Sequence, residues 1–386
     1  MSLFLHNAML NGKAVDITIV DGLIVNGECG PDADVIDCTG LAVFPGLMNM
    51  HSHAPMTLFR GLGDDQPLDV WLNKYIWPAE QKLNDDLVYQ GTLQACREML
   101  ASGTTAFNDM YFRLPAMVQA VRDSGIRARL GLNVFGDADN LNEIEKLLTL
   151  NSKPLTFSIA PHSIYTVSGK GLRRCADACR DLQLPMHIHM SETLKEVDDC
   201  LREHGCHPWE YLDKLGILDQ LGENIIAAHC LHLSDSEIRL IGDHHITCVH
   251  CPNSNLKLGS GYRFQMLELL DAGANVMLGT DGSASSNNLD MIEVMKTAAL
   301  LQKGWRMDPS AVPADLILRL AIGGHTIAPG QPACLFLAKL NTSETSQSEN
   351  NTTSNLVYAT HGENVNTLNT DKKIQLGMCI CDPNFN

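Results

Sequence analysis

The sequence holds no uninterrupted apolar run of the ~20 residues that a membrane span requires, so a membrane-embedded role is not expected. Positive charge is scarce: 28 Lys and Arg stand against 45 Asp and Glu, a formal net charge of −17. An acidic surface repels nucleic acid and anionic membranes, and neither is expected as a partner. Met1 to Asp16 lack the basic start and apolar block of a secretory signal, so the expected location is the cytoplasm. Cysteine is plentiful, at 13 residues, but paired metal-binding spacing is not. Cys248-Val249-His250-Cys251 is a single Cys-x-x-Cys, and a structural zinc site needs a second pair. The thiols therefore read as reduced, apolar filling.

What is present is an ordinary globular composition, with 45% hydrophobic and 19% charged residues in 386. Short β-rich runs alternate with amphipathic helical runs through the middle. The strand-like runs are Gly46–His53, Thr104–Asp109, Arg127–Val134, Leu155–His162, Pro185–Met190, Asn224–His229, Ile246–His250 and Asn275–Asp281. Helical patterns such as Leu87–Ala101, Gly171–Leu182, Gln265–Ala272 and Leu289–Gln302 lie between them. Eight strand–helix units predict an α/β fold, a (β/α)8 TIM-like barrel over residues 45–329. The ends differ. Residues 1–44 carry Asn11-Gly12, Asp21-Gly22 and Asn26-Gly27, which are hairpin signals. Residues 330–386 again look strand-like, and the two ends are expected to pair into a small β-sandwich domain. Within them, 341–355 ("NTSETSQSENNTTSN") is polar and low in complexity, and is expected to be a mobile loop.

The barrel reading gives the polar residues a place. His51 and His53 end strand one, His162 strand four, His189 strand five, His229 strand six and Asp281 strand eight. Active sites of such barrels lie at the carboxyl ends of the strands. On strand one, residues i and i+2 share a side, so His51 and His53 can grip one ion. Three imidazoles and one carboxylate suit a borderline divalent cation such as zinc, leaving a place for water. Asp281 can take a proton from that water, and Glu192, three residues beyond His189, can carry one to a substrate. A bridged two-metal site usually wants a further anionic bridge, often a carboxylated lysine on strand four. "LTFSIAPHSIYTVS", residues 155–168, has no lysine, so one metal is expected and His162 is free to meet substrate. His187, His232 and His250 read as barrel filling or as partners behind the ligands.

These blocks resemble the amidohydrolase superfamily, and within it the 5′-methylthioadenosine/S-adenosylhomocysteine deaminases. The similarity runs through "PGLMNMHSHAPMTLFRGLGDDQPLDVWLNKYIWPAE" (residues 45–80), "APHSIYTVS", "HIHMSET", "AAHCLHL", "HCPNSNLKLGSG" and "LGTDGSASSNN". It implies that His51, His53, His189 and Asp281 hold one divalent ion per chain, zinc or alternatively iron. It implies Glu192 as proton carrier to the purine N1 and then to the leaving amine, and His229 as the group that steadies the attacking hydroxide. Glu80 matches the position that binds the ribose hydroxyls, and His162 the position that meets the purine ring. Trp71 is placed either in a lid over the base or as a packed helix aromatic. The implied reaction converts an adenine nucleoside to its hypoxanthine counterpart and ammonia. The implied partner is a small nucleoside, and a homo-oligomer is expected.

Two departures matter. Some family members carry arginines after strand three that hold the amino-acid tail of S-adenosylhomocysteine. "GLNVFGDADNLNEIEKL", residues 131–147, has none and is acidic. The expected substrates are therefore 5′-methylthioadenosine, adenosine or 5′-deoxyadenosine, with S-adenosylhomocysteine kept as a further candidate. The link into the C-terminal β segment is shortened, and Cys334 stands where aspartate is usual. The alternatives are a related enzyme acting on a bare base or triazine (a guanine or 8-oxoguanine deaminase, a chlorohydrolase) and a non-catalytic scaffold. A bare-base enzyme has no use for Glu80, and a scaffold predicts decay among ligands that are intact here.

Overall fold

A computed structural model describes residues 2–27, 30–151, 155–340 and 349–360. Two sheets organise it. The first has six strands: β1 (Ser2–Leu10), β2 (Lys13–Val20), β3 (Leu23–Val25), β4 (Asp34–Asp37), β5 (Ala42–Pro45) and, from the C-terminal end, β14 (Leu335–Ala338). Asn11-Gly12 and Asp21-Gly22 turn β1 into β2 and β2 into β3, both antiparallel. All four residues take positive φ, the conformation of the tight hairpin turns that Asn-Gly and Asp-Gly favour. Asn26-Gly27 does not make a third hairpin: β4 joins β1 in parallel register instead. The Thr18 hydroxyl donates to the Gly27 carbonyl at 2.8 Å, which keeps that turn against β2. β14 pairs antiparallel with β5, so the two chain ends share one sheet around Leu3, Leu5, Ile17, Ile19 and Leu337.

The second sheet has eight strands in consecutive order: β6 (Leu47–Ser52), β7 (Thr104–Tyr111), β8 (Arg127–Val134), β9 (Leu155–Pro161), β10 (Met186–Met190), β11 (Ile225–His229), β12 (Thr247–His250) and β13 (Asn275–Leu278). Each neighbouring pair is parallel. These are the eight predicted strands. The sheet curls until its ends meet: Asp281 N–H donates to the His51 carbonyl at 3.0 Å, and Thr280 N–H to Asn49 Oδ1 at 3.0 Å. That closure sets Asp281 beside His51 before any side chain is considered.

The chain between strand one and the first long helix forms a lid. Helix Leu68–Trp71 runs through a π-helical turn, Leu72–Ile76, into helix Trp77–Glu80. Pro78 has no N–H for the carbonyl four residues back and its ring crowds it, a recognised cause of such a widening. The next helix, Asp85–Ala101, starts at Asn84, whose side chain accepts from Leu87 N–H at 2.9 Å.

The expected loop at 341–355 is corrected over 349–355, and the strand-like reading after it over 356–359. Glu349–Ala359 is helical and packs on the barrel helices Met291–Arg306 and Ala314–Ala321, with Leu356 and Val357 fully buried. Two consecutive buried apolar residues outweigh a Ser/Thr/Asn-rich composition when a complementary surface is at hand. Residues 341–348 and 361–386 lie outside the described residues, as do the remaining strand-like C-terminal runs. No described helix is long and apolar enough to cross a membrane.

Candidate active site

Several strand ends bend the same way. Ser191 (φ 50°), His229 (75°), Cys230 (49°) and Asp281 (63°) adopt left-handed backbone although none is glycine. Such residues cost about 1–2 kcal/mol each and cluster where function demands them. Here each bend lies at the carboxyl end of a barrel strand and turns polar side chains into one mouth. Asp281 is the easiest of them to hold, because Asp tolerates this conformation and its own Oδ1 accepts from Gly282 N–H at 2.7 Å.

The mouth brings the predicted ligands together. Asp281 Oδ1 lies 3.4 Å from His51 Nε2 and 3.3 Å from His53 Nε2, and His189 Nε2 lies 3.3 Å from His53 Nε2. Donor atoms of His51, His53 and His189 fall within 4.8 Å of one another, as do those of His51, His229 and Asp281. His51 is 0% exposed, yet its Nε2 has no hydrogen bond among the described residues. A buried lone pair of this kind costs free energy unless something engages it. The ligand nitrogens are fixed from behind. His53 Nδ1 donates to the Met110 carbonyl at 2.8 Å, and His189 Nδ1 to the His162 carbonyl at 2.7 Å. His51 Nδ1 lies 2.9 Å from His187 Nε2. Each ring therefore turns Nε2 to the centre, as metal-ligating histidines do. Three imidazoles and a carboxylate so arranged could hold a metal ion.

Charge without an ion is poorly accommodated there. Burial pushes His51 down to about 4, and pushes His189 well below the usual imidazole range. His53 is also desolvated, but its hydrogen bond and charge attraction to Asp281 lift it to about 9. Burial works against ionised Asp281, and the two imidazoles overcome it, so the carboxyl lies well below its usual range. Asp281 is thus ionised and ready to bind a cation.

Gly279, at the end of β13, explains how closely the first and last strands approach. A Cβ there would lie 2.9 Å from His51 N and 3.0 Å from His51 Cβ. We expect Gly279→Ala to cost about 1–3 kcal/mol of stability, as overpacked sites do. It should also weaken metal binding by displacing His51. Thermal melts with and without zinc check this: the melting temperature should fall, and the zinc-induced rise should shrink.

Glu192 follows His189 and is held at three points. Ser260 Oγ donates to its Oε1 at 3.0 Å, and His229 Nε2 lies 3.8 Å from its Oε2. Its backbone N–H and that of Ser191 both donate to the Glu196 carboxylate at 2.8 Å, pinning the strained turn. Burial raises the Glu192 carboxyl above its usual range, which favours the protonated, donating form. Glu80 and His162 line the same cleft, the His162 ring 4.8 Å from that of His189, so that all eight predicted residues except fully recessed His51 line one pocket. Burial raises Glu80, opposed by the Tyr111 hydroxyl beside it. His162 belongs to an aromatic wall: Phe112 stacks on Phe135 at 6.0 Å, and Phe135 on His162 at 5.0 Å. Trp71 lines the same pocket from the lid, its indole N–H donating to the Leu62 carbonyl at 2.9 Å.

The other histidines separate. His187 backs His51, His232 Nε2 donates to the Ser260 carbonyl at 2.7 Å, and His250 stacks on Phe264 at 4.3 Å. Cys248 and Cys251 are buried free thiols, and desolvation holds Cys251 far above the thiolate range. Sequence reasoning gave no role to Phe112, Phe135, Tyr111, Glu196, Ser254 or Asn255. "HCPNSNLKLGSG" was the visible signal for the last two, but which atoms they reach depends on the turn after β12.

Comparison with known proteins agrees with this geometry. The sequence profile described as "Amidohydrolase family" matches residues 42–379. A 5′-deoxyadenosine deaminase of Methanothermobacter thermautotrophicus is 42% identical over 366 residues, covering 89% of this chain and 84% of that one. A 5′-deoxyadenosine deaminase of Methanococcus maripaludis is 38% identical over 401 residues, covering 97% and 94%. Among solved structures, an adenosine deaminase from Xanthomonas campestris with bound zinc superposes with a TM-score of 0.84 at 31% identity, covering 94% of this chain and 90% of that one. A guanine deaminase from C. acetobutylicum, 24% identical with a TM-score of 0.78 over 88% and 91% of the chains, shares the fold. The chain belongs to the amidohydrolase family, and within it to the adenosine-type deaminases.

Proposed function

We propose that the protein hydrolyses the 6-amino group of adenine nucleosides with a small, uncharged 5′ end, foremost 5′-deoxyadenosine and 5′-methylthioadenosine. The products are the hypoxanthine nucleoside and ammonia. The carrying observation is that buried Glu192, beside the metal cluster, shares one pocket with half-buried Glu80 and with the aromatic wall of Phe112, Phe135 and His162 on the ends of strands two, three and four. In this reading the purine's amino end lies at Glu192 and its sugar at Glu80.

His51, His53, His189 and Asp281 hold the ion, which we take to be one zinc per chain, with iron as the alternative. The Xanthomonas structure contains zinc, and His51 Nε2 is an orphaned buried donor atom here. A divalent ion at this place lowers the pKa of a coordinated water toward ~7 and so makes hydroxide available at neutral pH. The chain's own groups do the rest. Asp281 accepts the proton of the attacking water. Glu192 delivers a proton to the purine N1 as C6 becomes tetrahedral, then takes the proton of the new C6 hydroxyl and passes it to the departing amine; the water proton held by Asp281 restores Glu192 as ammonia leaves. His229 steadies the developing charge on the attacking oxygen. Glu80 accepts hydrogen bonds from the ribose hydroxyls. His162 meets the purine ring, with its pKa down at about 3 through burial and the neighbouring histidines, so it stays neutral against the base.

The 5′ end faces Phe112 and Phe135, with no cation among the pocket-lining residues. An aminoacyl tail would leave its carboxylate unpaired there, so S-adenosylhomocysteine should be a poor substrate. The test is a panel of 5′-deoxyadenosine, 5′-methylthioadenosine, adenosine, S-adenosylhomocysteine, adenine and guanine. Fast turnover of guanine with inert nucleosides would overturn the proposal. Glu80→Gln should lower kcat/KM on nucleosides by about 10–100-fold, the loss of a charged hydrogen bond worth about 1.5–3 kcal/mol. The loss should appear mainly in KM, in steady-state assays on 5′-deoxyadenosine.

A further inference from the structure

The position of His229 admits two roles. Its Nε2 is close enough to His51 and Asp281 to be a fifth metal ligand, and equally placed to donate a hydrogen bond to the attacking oxygen. A neutral imidazole does one or the other: ligation needs the Nε2 lone pair, and donation needs Nε2–H. The partner of Nδ1 decides. That partner is Asn255, 1% exposed, whose Nδ2 lies 2.9 Å from His229 Nδ1. An amide N–H directed at Nδ1 requires a lone pair on Nδ1, which places the ring proton on Nε2.

We infer that Asn255 is a positioning residue that locks His229 in the Nε2–H tautomer, making it a hydrogen-bond donor to the reaction and keeping it out of the metal's ligand set. The opposite amide orientation would put NH2 where Asn255 Oδ1 now sits, buried without a partner among the described residues. An orphaned N–H is rarer than an under-satisfied carbonyl. The same short turn, Pro252–Lys257, acts on the other proton-handling group. Ser254 Oγ donates to Asp281 Oδ2 at 2.6 Å, and Ser285 Oγ to the same oxygen at 2.8 Å. Oδ2 is thereby occupied, and Oδ1 is the oxygen left facing His51 and His53. Two adjacent residues thus set where the ring proton of His229 sits and which oxygen of Asp281 faces the metal. The backbone strain at His229 and Cys230 fixes the ring's direction but not its proton; Asn255 supplies the second constraint.

This inference deepens the proposed role of His229, but it is read without substrate. Zinc-loaded full-length protein labelled with 15N-histidine gives a long-range 1H–15N spectrum, with the His229 signals assigned by their loss in His229→Gln. The expected pattern is a protonated Nε2 and an unprotonated Nδ1. Asn255→Asp keeps the shape but offers an acceptor, so His229 should switch to a protonated Nδ1. Its kcat should fall about 10–100-fold, the usual effect of losing a residue behind a metal site. Asn255→Ala should fall no further. A merely structural Asn255 predicts the reverse order, with the isosteric Asp active and Ala unstable. A protonated Nδ1 in the unsubstituted protein, or Asn255→Asp with full kcat, overturns the inference. If the Asp variant does not fold, the unsubstituted spectrum still decides. Failure of the substrate assignment would leave that spectrum untouched.

Discussion

Glu192→Gln lowers kcat on 5′-deoxyadenosine by about 10²–10⁴-fold, the range for a positioned general acid–base group, while one metal ion per chain remains bound. The substitution keeps the shape and the Ser260 contact to Oε1, but an amide cannot cycle a proton between water, N1 and the departing amine. Burial raises the Glu192 carboxyl, and this fixes the sign of its pH dependence. The working form at the start of the cycle is protonated. Activity should therefore hold as pH rises past the ordinary carboxylate range and fall when pH passes the raised pKa. The Gln variant should lose that alkaline fall along with most of its rate. Rate profiles of both proteins, with metal content measured on the same samples, check this. A Gln variant with normal kcat would remove Glu192 from the mechanism.

Removing a ligand has a larger effect. His189→Ala should reduce turnover to background and leave the purified chain with far less than one ion. His53→Ala should do the same, because it removes the ring that also engages Asp281 at 3.3 Å. Chelator dialysis of the unsubstituted protein should give the same inactive state, and one equivalent of zinc should restore it. Ligand loss should also change stability in a way that Glu192→Gln does not. Three imidazoles and a carboxylate packed together without an ion leave lone pairs and charge uncompensated, so metal-free protein should melt lower. Differential scanning calorimetry with and without zinc separates the cases: Glu192→Gln retains the zinc-dependent rise in melting temperature, and His189→Ala loses it.

The barrel was legible because its signals are local. Each strand is a short β-rich run bounded by a helical pattern, and parallel topology follows from the alternation. His51, His53, His162, His189, His229 and Asp281 were legible for a related reason: a polar residue ending an apolar strand is conspicuous, and several such endings converge in a closed barrel. What lies behind them was not. Asn255, Ser254 and Glu196 act across 26, 27 and 4 residues of sequence, through turns whose conformation the sequence does not display. The aromatic wall is spread over Phe112, Phe135 and His162, on three strand ends, and joins only when β7, β8 and β9 align. In the helix Glu349–Ala359, residues 349–355 were misread as loop because their composition is polar and 356–359 as strand, and only the barrel surface beneath Leu356 and Val357 gives the helix a reason to form. Asn26-Gly27 was misread as a hairpin for the converse reason, since a turn signal does not say which strand the chain pairs with next.

The central claim is that the metal cluster, Glu192 and Glu80 together make a nucleoside deaminase. Its most direct measurement is the reaction of zinc-loaded protein with 5′-deoxyadenosine, following the adenine absorbance band and released ammonia in the same sample. The account predicts loss of the adenine band with one ammonia released per nucleoside consumed, and neither change in chelator-treated protein. An unchanged spectrum with zinc bound, or ammonia from guanine or free adenine but not from nucleosides, would contradict it.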